Sequence, residues 1–272
     1  MNELISLPLV IPAAGIGSRL FPITWAVPKE LLPINNKPAL HYVLMEAFLG
    51  SINKVICVTS PRKESLISYL TYRHIQQEVP LNDNEQARLK ELDELNNHFS
   101  YFFKLQKKPY GVGHAILQAA DEISTDFFCI AYPDDILIGS RAGLPCMLEM
   151  HRKYNASVIL IEKIDIEKIH LYGVIGYSRE IEPGVFELTH IIEKPSRQEA
   201  PSLYGVVGRY IINKKVFHYM KNQNVINPCN IRAFNDLIKN NNRFIGVEIS
   251  GIRYDIGTLD GWLSTIKSIN CL

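Results

Sequence analysis

The stretch that decides the fold is "LVIPAAGIGSRLFPITWAVPKELLPINNKPAL", residues 9–40. Its first residues, Leu9–Ile11, are an apolar run typical of a buried strand, but no helical spacing of apolar residues follows them. The segment instead contains two glycines, prolines at 22, 28, 33 and 38, and the cations Arg19 and Lys29. Because prolines restrict the backbone, this pattern predicts an irregular loop held in one shape. Open α/β sheets bind ligands at the carboxyl ends of their strands, which is where this loop begins.

Three phosphate-binding loops can follow a first strand, beside the alternative of an ordinary structural turn. A dinucleotide-binding turn, G-x-G-x-x-G, fits Gly15 and Gly17 but has Leu20 where close packing needs Gly or Ala, and no acidic residue ends the second strand. A Walker loop needs GKS or GKT, which is absent. The third interpretation is a loop whose backbone amides, together with Arg19 and Lys29, wrap a triphosphate.

Short apolar runs alternate with helical patterns in the rest of the chain. This alternation predicts an α/β fold with a mixed, mostly parallel sheet flanked by helices on both faces. Strands are predicted at 8–13, 54–60, 101–106, 126–133, 157–164 and 243–249, and helices at 38–50, 62–74, 84–97 and 111–123.

Two regions depart from the alternation. Residues 173–213 are β-rich with turn signals between the runs, which predicts a small antiparallel excursion attached to the sheet. Residues 75–99 are polar and charged, and predict a helical insertion on the surface. No repeat or low-complexity linker interrupts the sequence, so a single domain is predicted over 1–272.

Composition excludes several classes of function. The formal net charge of +1 and the lack of a Lys/Arg block argue against a nucleic-acid-binding protein, and no run of 18 apolar residues predicts a membrane span. The five cysteines form no CxxC pair, and Cys57 and Cys129 lie inside strand-like runs. Buried free thiols, a reducing compartment and hence a cytoplasmic protein are predicted.

The opening loop resembles the signature of the sugar-phosphate nucleotidylyltransferases, G-x-G-[ST]-R-[LM]-x-P-x-T followed by P-K-E-[ML]-L-P and K-P. It is most similar to the bacterial UTP–glucose-1-phosphate uridylyltransferases. The resemblance continues, in the family's order, through "QKKPYGVGHAIL" (106–117), "YPDDIL" (132–137), "LYGVIGY" (171–177), "IIEKP" (191–195), "VVGRYII" (206–212) and "YDIGT" (254–258).

This resemblance implies a Rossmann-like fold of the nucleotide-diphospho-sugar transferase type and a Mg²⁺-dependent reaction. The phosphate oxygen of a hexose 1-phosphate, expected to be glucose 1-phosphate, attacks the α-phosphorus of UTP and releases pyrophosphate. Asp134 and Asp255 match the family's metal ligands, and Mg²⁺ commonly takes one or two protein carboxylates together with phosphates and water. Arg19 and Lys29 would compensate phosphate charge in the transition state.

The remaining site residues are also implied by the resemblance. Gly173, Glu193 and Lys194 match the sugar-phosphate site, within the β-rich region 173–213. A glutamine amide can both donate to and accept from the imide edge of a pyrimidine, but does not separate uracil from thymine. The expected nucleotide-binding residues are Ala13, Ala14, Gly15, Gly17, Gln106 and Gly111.

Several positions depart from the family. "NPCNIRAFNDL" (227–237) stands where the family has a stretch like GDEIQLTDA, and Trp25 stands where the uridylyltransferases have a lysine. These departures touch the sugar pocket, so they bear on which hexose is bound. A thymidylyltransferase of the same fold and a non-catalytic nucleotide-sugar-binding paralogue remain alternatives. The C-terminal helix of longer relatives has no counterpart, and the apolar residues at 262, 263, 266 and 269 suffice to dock on the chain's own sheet, which predicts a monomer or homodimer.

Overall fold

The computed structural model describes residues 6–71, 81–139, 143–223 and 230–269. The strands are β1 Leu9–Pro12, β2 Pro33–Ile34, β3 Lys37–Pro38, β4 Lys54–Thr59, β5 Ser100–Leu105, β6 Phe127–Ala131, β7 Asp135–Ile138, β8 Ser157–Lys163, β9 Gly173–Glu182, β10 Val185–Glu193, β11 Tyr204–Asn213, β12 Phe244–Glu248 and β13 Ile252–Asp255. The helices are α1 Ile23–Ala26, α2 Ala39–Leu49, α3 Glu64–Thr71, α4 Asp83–His98, α5 Val112–Leu117, α6 Leu144–Tyr154, α7 Val216–Lys221, α8 Asn230–Lys239 and α9 Leu259–Ile269.

Nine strands form the main sheet, in the order β5-β4-β1-β6-β11-β8-β12-β10-β9. The β5, β4, β1 and β6 strands are mutually parallel, as are β8 and β12. Only β11 and β10 run against the other seven among the described strands, because β11 is antiparallel to β6 and β8 and β10 is antiparallel to β12 and β9. The predicted mixed, mostly parallel sheet is confirmed.

Side chains on the two faces of the sheet pack into two separate cores. In β1, Leu9 and Ile11 belong to one core while Val10, which points to the opposite face, belongs to the other. Helix α2 covers the first face with residues such as Leu40 and Leu44. Helix α8 covers the second face, where Phe234 is fully buried. Helices therefore cover both faces of the sheet, which is why the central strands are apolar on both sides.

The six predicted strands of the alternating part all form, each within two residues of its predicted ends. The β-rich region 173–213 contains β9, β10 and β11, and each is antiparallel to its neighbours. These strands belong to the main sheet itself, and β11 lies in its middle. The described part of the predicted insertion at 75–99 is α4, which begins with a capping box between Asn82 and Glu85.

A small ribbon that the sequence patterns did not predict lies beside the main sheet. Strands β7 and β13 pair antiparallel, with Asp135 directly opposite Asp255. A third core of Ile34, Ile136, Ile256 and Ile269 lies beneath this ribbon. Helix α9 docks here rather than on the main sheet, and Trp262 Nε1 donates to the carbonyl of Pro33 at 3.1 Å. The ribbon therefore brings residues near the C-terminus to the end of β6.

Candidate active site

The loop that follows β1 is held by local hydrogen bonds rather than by a long helix. Gly17 has φ of 67° and precedes a short 3-10 helix, Ser18–Leu20. Thr24 Oγ1 donates to the carbonyl of Gly17 at 2.7 Å, and a Cβ on Gly17 would lie 3.1 Å from Thr24. A second 3-10 helix, Lys29–Leu31, returns the chain to the protein. The predicted irregular loop is therefore present, with its glycine at a backbone conformation that L residues rarely adopt.

A cleft of about 530 Å³ opens between this loop and the segment that follows β5. Tyr132, Val112 and Gly257, which were not predicted as site residues, also line it. The predicted residues that line the cleft are Ala14, Gly15, Gly17, Arg19, Lys29, Gln106, Gly111 and Asp134.

Ala13 lies beneath the cleft rather than in its wall. It is fully buried, its N–H donates to the carbonyl of Val58 at 2.8 Å, and its carbonyl accepts from Lys63 Nζ at 2.6 Å. Both backbone groups that were expected to contact a base are thus bonded within the protein. Ala14 and Gly15 come next along the chain, and a Cβ on Gly15 would meet nothing within 4 Å. The cleft wall therefore begins at Ala14.

Lys29 and Asp134 form an ion pair on the floor of the cleft. Lys29 Nζ donates to Asp134 Oδ2 at 2.6 Å, and the two side chains are only 16% and 19% exposed. Burial disfavours the charged form of each group, but their mutual attraction is stronger, so the pKa of Lys29 is raised and the pKa of Asp134 is lowered. Glu30 adds to the effect on Lys29. Both groups are therefore charged at neutral pH.

Asp255 and Arg19 converge on the same place through Gly257. A Cβ on Gly257 would lie 3.0 Å from Asp255 Oδ1, 3.3 Å from Asp134 Oδ2 and 3.5 Å from Arg19 Nη2. The two carboxylate oxygens are therefore at most 6.3 Å apart, the sum of the first two distances. The N–H of Gly257 donates to Asp255 Oδ1 at 2.8 Å, and the N–H of Ile256 donates to the carbonyl of Asp134 at 2.9 Å. Two carboxylates and two cations thus surround one small space, which only a residue without a side chain leaves open.

Gln106 lies on the opposite wall of the cleft. Its Nε2 donates to the carbonyl of Gly111 at 3.0 Å and lies 2.8 Å from His114 Nδ1. Gly111, with φ of 87°, immediately precedes helix α5. These contacts commit the amide nitrogen within the protein and fix the plane of the amide. In this orientation, the amide oxygen is the group that Gln106 can offer to a ligand, as an acceptor.

A second cavity of about 190 Å³ adjoins the cleft, and Val112 and Tyr132 line both. Gly173 and Glu193 lie opposite each other on β9 and β10, and a Cβ on Gly173 would lie 3.1 Å from Glu193 Oε2. Both predicted residues line this cavity. Lys194 follows with φ of 50°, and its N–H donates to the carbonyl of Tyr172 at 3.0 Å, but its side chain is exposed and does not line the cavity.

Tyr132, Tyr210 and Asn230 form a polar wall of the second cavity that was not predicted. Asn230 Nδ2 donates to the hydroxyl of Tyr132 at 2.9 Å, and the ring centroids of Tyr132 and Tyr210 lie 5.5 Å apart. Burial raises the pKa of both phenols, so both stay protonated. Asn230 begins α8 within the departing stretch 227–237, whose residues 227–229 lie outside the described residues. Tyr132 and Tyr210 lie within the motifs "YPDDIL" and "VVGRYII", but their contact with Asn230 joins residues that are distant in sequence.

Buried ions support the site from below. Lys63 Nζ donates to both carboxylate oxygens of Glu30, at 2.9 and 2.8 Å, as well as to Ala13. Asp135 Oδ2 accepts from the N–H of Gly208 at 2.9 Å, and Asp135 Oδ1 accepts from Arg253 Nε at 2.7 Å. A further buried ion is Arg209. Its position as the charged residue in the apolar stretch "VVGRY" is the sequence signal that could have indicated it. It is fully buried and pairs with Glu46.

Other sequence features have structural positions outside the cleft. Trp25 is 69% exposed, and the guanidinium of Arg62 lies 4.8 Å from its ring centroid. Cys57 and Cys129 are buried free thiols, as predicted, and burial raises the pKa of each to about 12. Among the described helices, none is long and apolar enough to cross a bilayer.

The family profile of the nucleotidyl transferases matches residues 9–270 of this sequence. The chain belongs to the nucleotidyl transferase family. Within the family, the UTP–glucose-1-phosphate uridylyltransferase of Bacillus subtilis strain 168 is 31% identical over 261 residues, which cover 94% of this chain and 88% of that protein.

Solved structures of family members agree with this assignment. A UDP-glucose pyrophosphorylase complexed with UDP-glucose aligns with a TM-score of 0.89 at 29% identity, over 98% of this chain and 99% of that one. A UTP-bound UGPase from Acinetobacter baumannii aligns with a TM-score of 0.86 at 27% identity, over 97% of this chain and 93% of that one. The predicted resemblance and the predicted nucleotide-diphospho-sugar transferase fold are therefore confirmed.

Proposed function

We propose that the chain transfers the uridylyl group of UTP to a hexose 1-phosphate, glucose 1-phosphate first among them, and releases pyrophosphate. The observation that carries this proposal is the pair of adjoining cavities: Asp134, Arg19 and Lys29 line the larger one, and Asp255 lies beside it at Gly257. Tyr132 and Val112 line both cavities, so two ligands held there would be neighbours. The names of the relatives, uridylyltransferase and UDP-glucose pyrophosphorylase, agree with such a reaction.

We assign the cleft of about 530 Å³ to UTP. The amide oxygen of Gln106 would accept the imide N–H of the base, while backbone groups of Ala14 and Gly15 would contact it from the other wall. The loop around Gly17, with Arg19 beside it, would then follow the triphosphate. Ala13 would act indirectly, by connecting the base of this wall to Lys63.

The carboxylates beside Gly257 fit a magnesium ion. Asp134 Oδ2 and Asp255 Oδ1 face the space beside Gly257, and carboxylate oxygens are the ligands that Mg²⁺ prefers. In the described part of the chain, no group of three or more His, Cys, Asp or Glu side chains could hold a metal by itself. Two carboxylates are nevertheless sufficient for Mg²⁺, which completes its coordination with phosphates and water. When bound, the ion would neutralise phosphate charge and orient the triphosphate.

The protein's own groups have a limited chemical task. A sugar phosphate is already ionised at neutral pH, so no general base is needed to generate the nucleophile. The chain must bring two anions together and stabilise the charge that moves onto the leaving pyrophosphate. Among the described residues, Arg19 and Lys29 are the cations that line the cleft, and Lys29 is held in place by Asp134. We therefore assign them to charge stabilisation during transfer.

The smaller cavity is assigned to the hexose. The lack of a side chain on Gly173 lets a sugar ring approach the backbone of β9, and Glu193 would accept hydrogen bonds from its hydroxyls. Lys194 would bind the sugar phosphate, which requires its exposed side chain to turn toward the cavity. Asn230 and the two tyrosines complete the wall with neutral polar groups.

We also propose a cytoplasmic monomer or homodimer. The buried thiols of Cys57 and Cys129 fit a reducing compartment. The apolar residues Ile266 and Ile269 of α9 pack against the chain's own third core, which leaves them unavailable to a partner. Light scattering at micromolar concentration should return a monomer or dimer, whereas a concentration-independent tetramer would contradict this proposal.

A matrix of nucleotides and sugar phosphates tests the function. UTP, dTTP, ATP and GTP are each combined with several hexose 1-phosphates and Mg²⁺, and pyrophosphate release is measured. The highest kcat/KM is expected for UTP with glucose 1-phosphate. A preference for dTTP would identify a thymidylyltransferase, and no release with any pair, while UTP still binds, would identify a non-catalytic paralogue.

A further inference from the structure

A buried ion pair lies directly behind the turn that carries Asp134. Of the residues that the structure describes, Arg209 is the largest side chain with no exposed surface, and Glu46 of α2 is 5% exposed. Arg209 Nε donates to Glu46 Oε2 at 3.0 Å, and Arg209 Nη2 donates to Glu46 Oε1 at 2.7 Å. This is the two-point geometry in which a guanidinium and a carboxylate bind most strongly. The two residues are 163 positions apart in the sequence.

The remaining donors of Arg209 all bind backbone carbonyls. Nη1 donates to Tyr132 at 2.8 Å and to Gly208 at 3.2 Å, and Nη2 donates to Asp135 at 2.7 Å. A guanidinium has five N–H groups, so every one of them is satisfied. Two of the three carbonyls belong to the residues on either side of the Pro133-Asp134 dipeptide. The carbonyl of Asp134 itself accepts from the N–H of Ile256.

The environment of Glu46 is as tightly fitted as that of Arg209. The N–H of Leu144 lies 3.4 Å from Glu46 Oε2, and a Cβ on the preceding Gly143, which has φ of 71°, would collide with the same carboxylate. The start of α6 is therefore shaped around this acid. Two well-packed apolar residues would avoid the desolvation of two charges, and such replacements are often stabilising in other proteins. Apolar side chains could not, however, bind the carbonyls of Tyr132 and Asp135.

We propose that Arg209, held by Glu46, is a positioning residue that fixes the 132–135 turn and thereby sets the metal affinity of Asp134. Arg209 is not among the described residues that line either cavity, so it would act by fixing the backbone on both sides of Asp134. This inference rests on the proposed function, because it takes Asp134 as a ligand of Mg²⁺. A residue that orients a metal ligand typically changes metal affinity by about 10- to 100-fold when it is replaced.

The test compares Arg209→Lys and Glu46→Gln with the wild type. A lysine has three donors on one atom, so it cannot bind Glu46 and both turn carbonyls at once. Glu46→Gln keeps the shape of the acid, leaves the turn contacts of Arg209 in place and weakens only the grip on the guanidinium. Phe244→Leu, a substitution in the core on β12 away from the turn, is the control for lost stability.

Two readouts are measured for each folded variant. The first is the affinity for Mn²⁺ in the presence of UTP, followed by water-proton relaxation, which requires no turnover. The second is the affinity for UTP in EDTA. For Arg209→Lys we expect Mn²⁺ affinity to fall about 10-fold or more, with UTP affinity in EDTA unchanged, and for Glu46→Gln we expect a smaller fall in the same direction.

The outcomes separate the inference from the proposed function. The positioning role would be overturned if a folded Arg209→Lys or Glu46→Gln variant bound Mn²⁺ as tightly as the wild type. It would also be overturned if Phe244→Leu lost as much Mn²⁺ affinity as those two variants. If Arg209→Lys does not fold, the Glu46→Gln result decides. Wild-type protein that binds Mn²⁺ and UTP but releases no pyrophosphate would refute the proposed function alone, and the two affinities would still measure the positioning role.

Discussion

Replacing Lys29 by alanine removes the cation that is bound to Asp134 on the floor of the cleft. Lys29 Nζ lies 2.6 Å from Asp134 Oδ2, in a setting where the lysine side chain is 16% exposed. If UTP occupies the cleft, this ammonium group is the candidate for the charge that moves during transfer. We therefore expect Lys29→Ala to lower kcat strongly while it changes the KM for UTP much less.

The magnitude of the effect follows from the position of the charge. A unit charge at ~4 Å from a phosphate oxygen interacts by about 4 kcal/mol at an effective dielectric constant of about 20. Arg19 remains in the cleft, and only part of a charge develops at any one oxygen, so a loss of about 3 kcal/mol is expected. This agrees with the cost of removing one preorganised electrostatic group, and it corresponds to a fall in kcat on the order of 10²-fold.

The assay is steady-state pyrophosphate release with both substrates varied, for the wild type, Lys29→Ala and Arg62→Ala. Arg62 is a matched control because it is a cation near the same loop, with its guanidinium stacked on Trp25 outside the cleft. Its kcat should equal that of the wild type. A Lys29→Ala effect confined to KM would reassign this lysine to ground-state binding, and an equal loss in Arg62→Ala would attribute the effect to the loop as a whole.

Metal dependence provides a second check on Lys29. The ammonium group binds the same oxygen, Asp134 Oδ2, that we assign to Mg²⁺. Its removal eliminates a competitor, so the Mg²⁺ concentration for half-maximal rate should not rise in Lys29→Ala. A higher Mg²⁺ requirement in this variant would mean that Lys29 orients Asp134 for the metal, and the assignment to transition-state charge would then be refuted.

Three further predictions concern the metal ligands, the nucleotide cleft and a buried histidine. Asp134→Asn and Asp255→Asn should each abolish pyrophosphate release, since each removes an anionic ligand, while the protein stays folded in a melting experiment. Near-normal rates at millimolar Mg²⁺ would show that the replaced aspartate is not a metal ligand. Gly15→Ala should leave the melting temperature unchanged, because its Cβ would meet nothing within 4 Å. It should raise the KM for UTP several-fold, because the new methyl group occupies part of the cleft. An unchanged KM would show that the base does not contact this wall. Burial, and then Lys37, lower the pKa of His41, so the unfolded chain binds a proton first as the pH falls below about 6.5 and the free energy of unfolding decreases. The melting temperature of His41→Gln should therefore fall less than that of the wild type between pH 7 and 5. Equal slopes for the two proteins would contradict the lowered pKa.

The parts of the fold that local sequence could predict are those with a strong local signal. Strand β1 is a short apolar run that ends in glycines, and the loop after it contains prolines that exclude a helix, so both were predicted at the right place. The β7 and β13 strands have four residues each, too few for a clear alternation of apolar and polar residues. They form because they pair with each other, across more than a hundred residues of chain. A pattern within a short window of sequence cannot indicate a pairing partner so far along the chain.

The same distinction applies to the site. Motifs named Lys29 and Asp134 separately, and the ends of β1 and β6 predicted that both would reach one edge of the sheet. Their ion pair joins residues 105 positions apart, and only the folded chain shows that the negative charge of Asp134 is already paired with Lys29 in the absence of a ligand.

Glu46 and Arg209 are a sharper case, because each is a single charged residue inside an apolar segment, and alone each would disfavour its own element. Burying either charge without the other would cost several kcal/mol. The two segments therefore become compatible with the core only together, when α2 packs beside β11 and the guanidinium also finds the carbonyls of Tyr132 and Asp135. A local conflict in the sequence thus marks a contact that only the tertiary structure can resolve, and here that contact lies behind a predicted metal ligand.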